Sequence, residues 1–494
     1  MKTIHKVLIA NRAEIACRII STLKKMGIKS VAVYSEADRL SRHVRMADEA
    51  YYIGPSPSTQ SYLKGNAIIE IALKCGADAI HPGYGFLSEN AEFSRMVMAS
   101  GLIFVGPSPE AMEHMGAKIA AKNTAINAGV PLVPGTTEAM TDIDEAMKVA
   151  ADIGFPILVK ASAGGGGKGM RIVNNPDEFK EQAARAISEA QSSFGDGSVF
   201  IEKFVTSPKH IEIQILADQH GNVLYLFERE CSVQRRHQKV VEEAPSSAIT
   251  PEIRAAMGKS AVQLAKTCNY TGAGTVEFLL DQDKNFYFLE MNTRLQVEHP
   301  VTEYITGLDL VEWQIRIASG EALSFTQDSL KISGHAMELR VCAEDPRNNF
   351  LPATGDIEEF DIPEGDGIRV DTGFLKGDTV PVYYDSMIAK LIVHAPNRQS
   401  AIEKLSSAIS QFRIEGIPTT LTFGGFTINH QAFKDGSFDT NFIQNYYDEA
   451  QLLDWKEEEL KVAGIAATYF YEQLSSRPPK IQGASSNWKR RSLR

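Results

Sequence analysis

The chain has little cysteine. Its five residues (Cys17, Cys75, Cys231, Cys268, Cys342) are odd in number, far apart, and form no Cys-x-x-Cys pair. That leaves no support for a disulfide framework or a zinc module, and implies reduced thiols. It also has no excess of positive charge: the net charge is −11. General nucleic-acid binding is therefore not expected. No apolar run is long enough to span a bilayer. Met1–Ala10 has too short an apolar core for a signal peptide, and no small-residue cleavage site follows it. It reads as a first strand, and a cytoplasmic location is expected. Two nucleotide signatures are absent as well. The turn after that strand, Ala10-Asn-Arg-Ala-Glu14, has no Gly-x-Gly-x-x-Gly, and the later glycine run lacks Gly-Lys-Ser/Thr. No internal repeat is visible.

What is present fits a globular chain of roughly three domains. Residues 1–115 alternate strand and helix. Lys6–Ala10 is a strand; Ile15, Ile19, Ile20, Leu23 and Met26 then recur at helical spacing up to Gly27, a C-cap. Ser30–Tyr34 is the next strand, and further βα units follow at Ala79-Ile80 and Ile103–Val105. This argues for a parallel, Rossmann-like sheet. The loop His81-Pro-Gly-Tyr-Gly-Phe-Leu-Ser-Glu-Asn90 stands at a strand's carboxyl end, where open α/β sheets place ligands. An ordinary βα connection explains it equally well.

From Gly116 the character changes. Gly116-Ala-Lys118 opens a helix ending near Gly129. Pro156–Lys160 is a short strand delivering a lysine into Ala161-Ser-Ala-Gly-Gly-Gly-Gly-Lys-Gly-Met170, and Arg171–Val173 returns. Free backbone N–H groups flanked by lysines suit a phosphate-covering hairpin. Val199–Val205 and His210–Leu216 alternate apolar and polar residues. Glu228–Lys239 is dense in donors, and Arg235, Arg236, His237 and Lys239 read as anion ligands. The apolar run 286–289 predicts a buried strand ending in Glu290 and Asn292, which share a side because side chains alternate. Glu277 interrupts the apolar strand Gly274–Leu280. Two Glu and one Asn make an all-oxygen site for Mg²⁺ or Mn²⁺. Arg294, Gln296 and Glu298 follow at alternate positions, an anion clamp with a candidate base. Further on, Thr306–Ile317 reads as helix. Gly334–Glu344 reads as a strand with Glu338 and Arg340 on one face, residues 345–394 as β, and Ser400–Phe412 as helix. Residues 448–474 read as one helix, and 475–494, with six Lys/Arg and no acid, as a disordered tail.

Lys118, the Lys160 strand with Gly164–Gly169, Glu202-Lys203, Glu277 and Glu290-x-Asn292 resemble the ATP-grasp fold. More narrowly, His81–Asn90, Gln234-Arg-Arg-His-Gln-Lys-Val-Val-Glu-Glu-Ala-Pro245 and Glu290–Pro300 resemble the biotin carboxylase family, from about residue 3 to 447. Ala13 stands where the family usually has Gly, and little effect on the site is expected. The resemblance implies an α/β fold in three parts. These are a Rossmann-like (pre-ATP-grasp) domain over 1–115, an ATP-grasp domain over 116–330 with a mobile Gly-rich lid at about 131–204, and an α+β biotin carboxylase C-terminal domain over 331–447.

The resemblance also implies roles. Lys118, Lys160, Gly166 and Gly167 meet ATP phosphates. Glu202, Lys203, Val205, His210, Gln234, His237 and Leu279 neighbour the nucleotide. Glu277, Glu290 and Asn292 hold about two Mg²⁺ or Mn²⁺ ions, with Glu277 and Glu290 also next to ATP. Lys239, Arg294, Gln296 and Val297 surround bicarbonate. Glu298 is the base, and Arg340, Tyr84 and Gly85 face biotin. Biotin would arrive on a separate carrier protein, with a carboxyltransferase subunit as the further partner and a homodimer as the assembly. The activity implied is that of the carboxylase subunit of an acetyl-CoA or pyruvate carboxylase, and the end of the chain looks more like the two-subunit pyruvate form. Another ATP-grasp ligase, or a non-catalytic ATP-binding subunit, are the alternatives; the Gln234–Lys239 stretch and Glu298 argue against both.

Glu145-Ala-Met-Lys148 resembles the biotinylated signature of carrier domains. Yet Ile143, Ala146, Met147, Ala150 and Ile153 repeat at helical spacing, Thr141-Asp-Ile-Asp144 before them looks like a capping-box variant, and Gly154-Phe-Pro156 ends the helix. A carrier lysine needs an exposed hairpin, so Lys148 is expected to stay unmodified. Intact mass after co-expression with an active biotin ligase checks this; an adduct mapped to Lys148 would overturn the two-protein arrangement.

Overall fold

Strand β1 (Lys6–Ile9) is apolar at all but its first position, as suits a strand covered on both faces. In the computed structural model, which describes residues 3–475 apart from 137, 162–169, 195–196, 237 and 453–456, β1 is the middle of a parallel sheet. Its neighbours are β2 (Lys29–Ser35), β3 (Glu49–Gly54), β4 (Ala79–His81) and β5 (Ile103–Phe104), in the order β3-β2-β1-β4-β5. Helix α1 (Ala13–Met26) covers one face, with Ile15, Ile19 and Leu23 against Val7 and Ile9. Leu8, on the other face, packs with Ile68 of α3 (Gly65–Cys75) and Phe93 of α4 (Ala91–Ala99). The short α2 (Arg42–Met46) lies between β2 and β3 in sequence. Gly27 caps α1 in the left-handed conformation, as its position in the sequence predicts. Ala13 has φ +52°, a left-handed value that suits the Gly of the family and is strained for Ala.

The strand order reverses between β1 and β4, the place where sheets of this kind receive ligands. There the Asn11 amide donates to the Pro82 and Tyr84 carbonyls (2.8 and 2.7 Å) and pins the His81–Asn90 loop. Gly83 is required in that loop: its φ is +65°, and a Cβ would stand 2.9 Å from the Asn11 amide nitrogen.

His43 of α2 is fully buried, its Nε2 3.3 Å from the Val33 carbonyl. Burial lowers the imidazole to about 4 from an ordinary 6.5, against the attraction of Asp38 and with help from Arg12. The unfolded chain therefore binds this proton first as pH falls, and stability drops between 6.5 and 4. The shift is worth about 3 kcal/mol. Urea unfolding across that range should show a steeper loss for the wild type than for His43→Leu; equal slopes would remove His43 from the account.

Helices α5 (Pro109–Gly116) and α6 (Lys118–Asn127) lead onward; Ser108 caps α5, and Pro109 sits in its first turn. Next, α7 (Ile143–Ile153), β6 (Ile157–Ala161), β7 (Met170–Val173), α8 (Pro176–Phe194) and β8 (Val199–Lys203) make a separate layer. Its antiparallel sheet runs β7-β6-β8, so the two strands flanking the glycine run pair, while the run itself, 162–169, lies outside the described residues. Ala146, Ala150, Phe179 and Ala183 of the helices bury Ile157, Val159 and Ile201. Lys148 is exposed on α7, which Asp142 caps.

The second large sheet is antiparallel throughout. It takes β9 (Lys209–Ala217), β10 (Val223–Arg235) and β11 (Gln238–Ala244), then, after α9 (Pro251–Thr267), β12 (Gly272–Leu280) and β13 (Phe286–Asn292). Beyond α10 (His299–Thr306) and α11 (Leu310–Ala318), β14 (His335–Cys342) and the strands Ile368–Thr372 and Met387–Ala395 complete it. The order is β13-β12-β9-β10-β11-β14, then 387–395 and 368–372.

Several expectations need correction. β13 is an edge strand: Phe288 is buried, but Leu289 is 45% exposed. The donor-dense stretch 228–239 runs along β10 to Arg235 and resumes in β11 at Gln238, with Arg236 between them at φ +49°. The helix expected at 306–317 starts later, as α11 at Leu310: Thr306 ends α10, Gly307 caps it in the left-handed conformation, and Asp309 starts α11 by accepting from the Glu312 N–H. Residues 1–447 form one unit and 448–494 another. In the latter the helix begins only at Glu457 and ends at Ser475, after a short turn at Glu449–Leu452. Leu460, Ile465 and Phe470 on it are exposed. Leu453, Trp455 and residues 476–494 lie outside the described residues.

Candidate active site

The register of four strands lines up four charges. Glu290 of β13 stands opposite Glu277 of β12, Glu277 opposite Glu212 of β9, and Glu212 opposite Arg229 of β10. Like charges in register repel, so such a row needs cations to survive burial. Lys239, at the start of β11, supplies one. Its ammonium donates to Glu212, to Glu277 (2.9 Å) and to Glu298 (2.6 Å). Burial alone would lower this lysine; Glu212, Glu298 and Glu277 outweigh it and hold its pKa well above the ordinary value. Arg229 donates to the other oxygen of Glu212.

Glu298 ends the turn 293–298 and precedes α10. It is 1% exposed. Arg340 of β14 donates to it at 2.9 Å and to Glu242 of β11 at 2.6 Å. Burial would raise the Glu298 carboxyl, but Lys239, Arg340 and Arg229 together hold it well below the usual range. It is an ionised acceptor between two cations. Glu242 is pushed up to about 7 by burial despite Arg340, and burial raises its register neighbour Glu338 well above the ordinary carboxylate value.

The fit of a divalent cation rests on Glu277, Glu290 and Asn292. Burial, then repulsion by Glu277, raises the Glu290 carboxyl. The Asn292 amide donates to Glu277 at 2.9 Å and accepts from Arg294 at 3.0 Å. An oxygen-rich set in which burial and Glu277 still raise the Glu290 carboxyl, despite Lys239 and His210, suits a hard cation. The ligand atoms of His210, Glu212 and Glu277 also lie within 4.8 Å of one another. Both Glu212 oxygens are taken by Arg229 and Lys239, however, so that trio is an ion-pair cluster.

The other expected residues divide. Gln296 donates to Glu277 at 2.8 Å, and the Val297 carbonyl accepts from Lys390 at 2.9 Å, so both border the cluster. Arg294 reaches back to Glu89 of the His81–Asn90 loop at 2.9 Å, which joins the loop to the site. Tyr84 donates to Glu14, and Gly85 is exposed at φ +68°. His210 stands 3.1 Å from Glu277, and Leu279 is its half-buried register partner. The Gln234 amide donates to the Cys231 carbonyl at 2.7 Å, and Val205 is half-buried after β8.

Lys160 donates to Glu202, whose carboxyl burial would raise but which Lys160 and Lys122 lower. Lys203 does not join them: its ammonium donates to the Gly154 and Phe155 carbonyls, each at 2.9 Å. The side chain of Lys118, together with Gly166, Gly167 and His237, lies outside the described residues. Lys122, Glu212, Arg229, Glu242 and Glu89 were not picked out from the sequence. Lys122 sits one helical turn beyond Lys118, which is the signal that could have found it.

A cavity of about 430 Å³ lies elsewhere, lined by Arg18, Glu303, Asp309, Arg369 and Asp371 among others. Its charges neutralise one another at 2.6–2.8 Å, so size alone does not locate the chemistry.

Three family models match in succession: "Biotin carboxylase, N-terminal domain" over residues 3–112, "Carbamoyl-phosphate synthase L chain, ATP binding domain" over 117–326, and "Biotin carboxylase C-terminal domain" over 338–445. The chain is 53% identical over 441 residues to a biotin carboxylase of Halalkalibacterium halodurans, covering 89% of this chain and 97% of that one. It is 54% identical over 449 residues to the mitochondrial methylcrotonoyl-CoA carboxylase subunit alpha of Rattus norvegicus. That match covers 90% of this chain but only 63% of the rat protein's length. The biotin carboxylase domain of Hydrogenobacter thermophilus 2-oxoglutarate carboxylase superposes with a TM-score of 0.83 at 47% identity, over 92% of this chain and all of that one. It was solved as a dimer with MgADP, ADP and bicarbonate.

Proposed function

The chain belongs to the biotin carboxylase family, and from that premise we propose that it carboxylates biotin with ATP and bicarbonate, the first half-reaction of a biotin-dependent carboxylase. The observation that carries this reading is the Lys239–Glu298–Arg340 chain beside Glu277, Glu290 and Asn292.

Bicarbonate is a poor electrophile and the ureido nitrogen of biotin a poor nucleophile. A bicarbonate oxygen attacks the γ-phosphorus of ATP, the bond to ADP breaks, and carboxyphosphate forms. Glu298, ionised between its two cations, accepts the bicarbonate proton. Lys239 and Arg294 offset the repulsion of two anions that must meet, and Gln296 supplies a neutral donor. Mg²⁺ or Mn²⁺ bound by Glu277, Glu290 and Asn292 would neutralise the oxygens of the departing ADP. Carboxyphosphate then breaks into CO₂ and phosphate. The released phosphate is the stronger base and takes the ureido proton, and the ureido nitrogen bonds to CO₂. Arg340, facing biotin with Tyr84 and Gly85, stabilises the negative charge that develops on the ureido oxygen. Lys118, Lys160, Gly166 and Gly167 hold the phosphates, with Glu202, Lys203, Val205, His210, Gln234, His237 and Leu279 around the nucleotide.

Biotin arrives on a separate carrier, and a carboxyltransferase takes the product to acetyl-CoA, pyruvate or a related acyl-CoA. The methylcrotonoyl-CoA relative supports the acyl-CoA class, and the dimeric Hydrogenobacter domain supports a homodimer. Among the described residues no helix is long and apolar enough to cross a membrane. ADP release by the purified chain should require bicarbonate and speed up with free biotin. Release that ignores bicarbonate, or that requires an amine acceptor instead, contradicts the proposal.

A further inference from the structure

Arg229 is wholly buried and belongs to none of the roles above. It sits in the charge row of the second sheet, opposite Glu212. Its Nε donates to Glu212. One terminal nitrogen donates to Gln214 (2.6 Å) and Thr302 (2.9 Å), and the other to Thr275 (3.0 Å) and Gln296 (2.9 Å). These partners come from β9, β12, α10 and the 293–298 turn. Every one of them therefore constrains where the guanidinium plane can lie.

The bond to Gln296 carries a consequence. A guanidinium has donors and no acceptor. The atom of Gln296 facing it must then be the carbonyl oxygen, and the NH₂ group must face the other way. It does: Gln296 Nε2 donates to Glu277 at 2.8 Å, on the side of Lys239 and Glu298. An unconstrained amide could turn over and offer its oxygen to the site, where an incoming anion would be repelled rather than bound. Glu212 is fixed in the same way, one oxygen on Arg229 and the other on Lys239.

We propose that Arg229 is a positioning residue that sets the orientation of the Gln296 amide, so that the site presents an N–H donor to bicarbonate. This rests on the bicarbonate reading above. A buried charge network is a weak device for stability alone, since apolar replacements are often neutral or better. A role in orienting a donor accounts for a five-bonded cation under a reaction site.

The test measures bicarbonate-dependent ADP release by the full chain for the wild type, Arg229→Lys, Gln296→Ala and the double variant, with melting temperature as the folding check. A lysine cannot reach all of Arg229's partners. Arg229→Lys should raise the KM for bicarbonate about tenfold or more while the KM for ATP stays within about twofold. Gln296→Ala should raise it comparably, and the double variant should add little, because the two residues act as one unit. A purely structural role would lower the melting temperature and the active fraction and leave the bicarbonate KM alone. Additive effects, or a folded Arg229→Lys with unchanged bicarbonate KM, overturn the inference. Gln296→Ala leaves Arg229's other four partners in place. An unchanged bicarbonate KM there overturns the inference even when Arg229→Lys does not fold. Absence of any bicarbonate dependence in the wild type would instead sink the proposed function, and this inference with it.

Discussion

Glu298→Gln is expected to lose biotin carboxylation by about 10²–10⁴-fold, the usual contribution of a positioned general base. MgATP binding should persist, because the residues assigned to phosphate and metal are untouched. The geometry explains why the change is so damaging. Lys239 donates to one oxygen of Glu298 and Arg340 to the other. A glutamine offers a single acceptor, so one of the two cations loses its partner as the base disappears. Lys239 keeps Glu212 and Glu277, and Arg340 keeps Glu242, which holds the site together. Calorimetric titration with MgATP alongside carboxybiotin formation checks both halves. Near-normal turnover would remove Glu298 from the mechanism, and lost MgATP binding would show that its role is structural.

Arg340→Ala should separate the two chemical steps. Arg340 lies on β14, separated from β12, the strand of Glu277, by β9, β10 and β11 in the sheet order, and bonds to no residue assigned to metal or phosphate. Its removal should leave some bicarbonate-dependent ATP cleavage while carboxybiotin formation falls about 10²-fold, the scale for losing one donor aimed at developing negative charge. The fold should tolerate it. Glu242 is fully buried and would be left without its guanidinium, but burial already pushes its carboxyl up to about 7. It can take a proton near neutral pH rather than remain an unpaired buried charge. The ratio of carboxybiotin to ADP is the readout. Equal loss of both activities would move Arg340 to the bicarbonate step.

Four strands of the parallel sheet were legible, because β1, β2, β4 and β5 hold short apolar runs between helical stretches; β3, which starts at Glu49 and exposes alternate residues, was not read. The shared face of Glu290 and Asn292 followed from strand alternation, and the pairing of β6 with β7 from the short apolar runs on either side of the glycines. What stayed hidden is what sheet register creates. Arg229 meets Gln296 across 67 residues and Lys239 meets Glu298 across 59. Local periodicity carries nothing about which strands lie side by side. For the same reason an apolar run does not reveal that β13 is an edge, or that Leu289 faces outward. The start of α11 was read four residues early because one left-handed glycine, Gly307, separates Thr306 from the helical pattern that begins at Leu310. The terminal helix, read over 448–474, begins only at Glu457, and its Leu460, Ile465 and Phe470 are exposed.

The central claim is that bicarbonate is activated by transfer of phosphate to one of its own oxygens at the Lys239–Glu298 site. Bicarbonate labelled throughout with heavy oxygen tests it most directly. The purified chain is incubated with unlabelled MgATP, labelled bicarbonate and free biotin, and the phosphate is analysed by mass spectrometry before the label washes out. The account predicts that each phosphate released acquires a single heavy oxygen, since the bond formed to phosphorus is the one kept when carboxyphosphate breaks. Phosphate carrying only oxygen from water and ATP would contradict it.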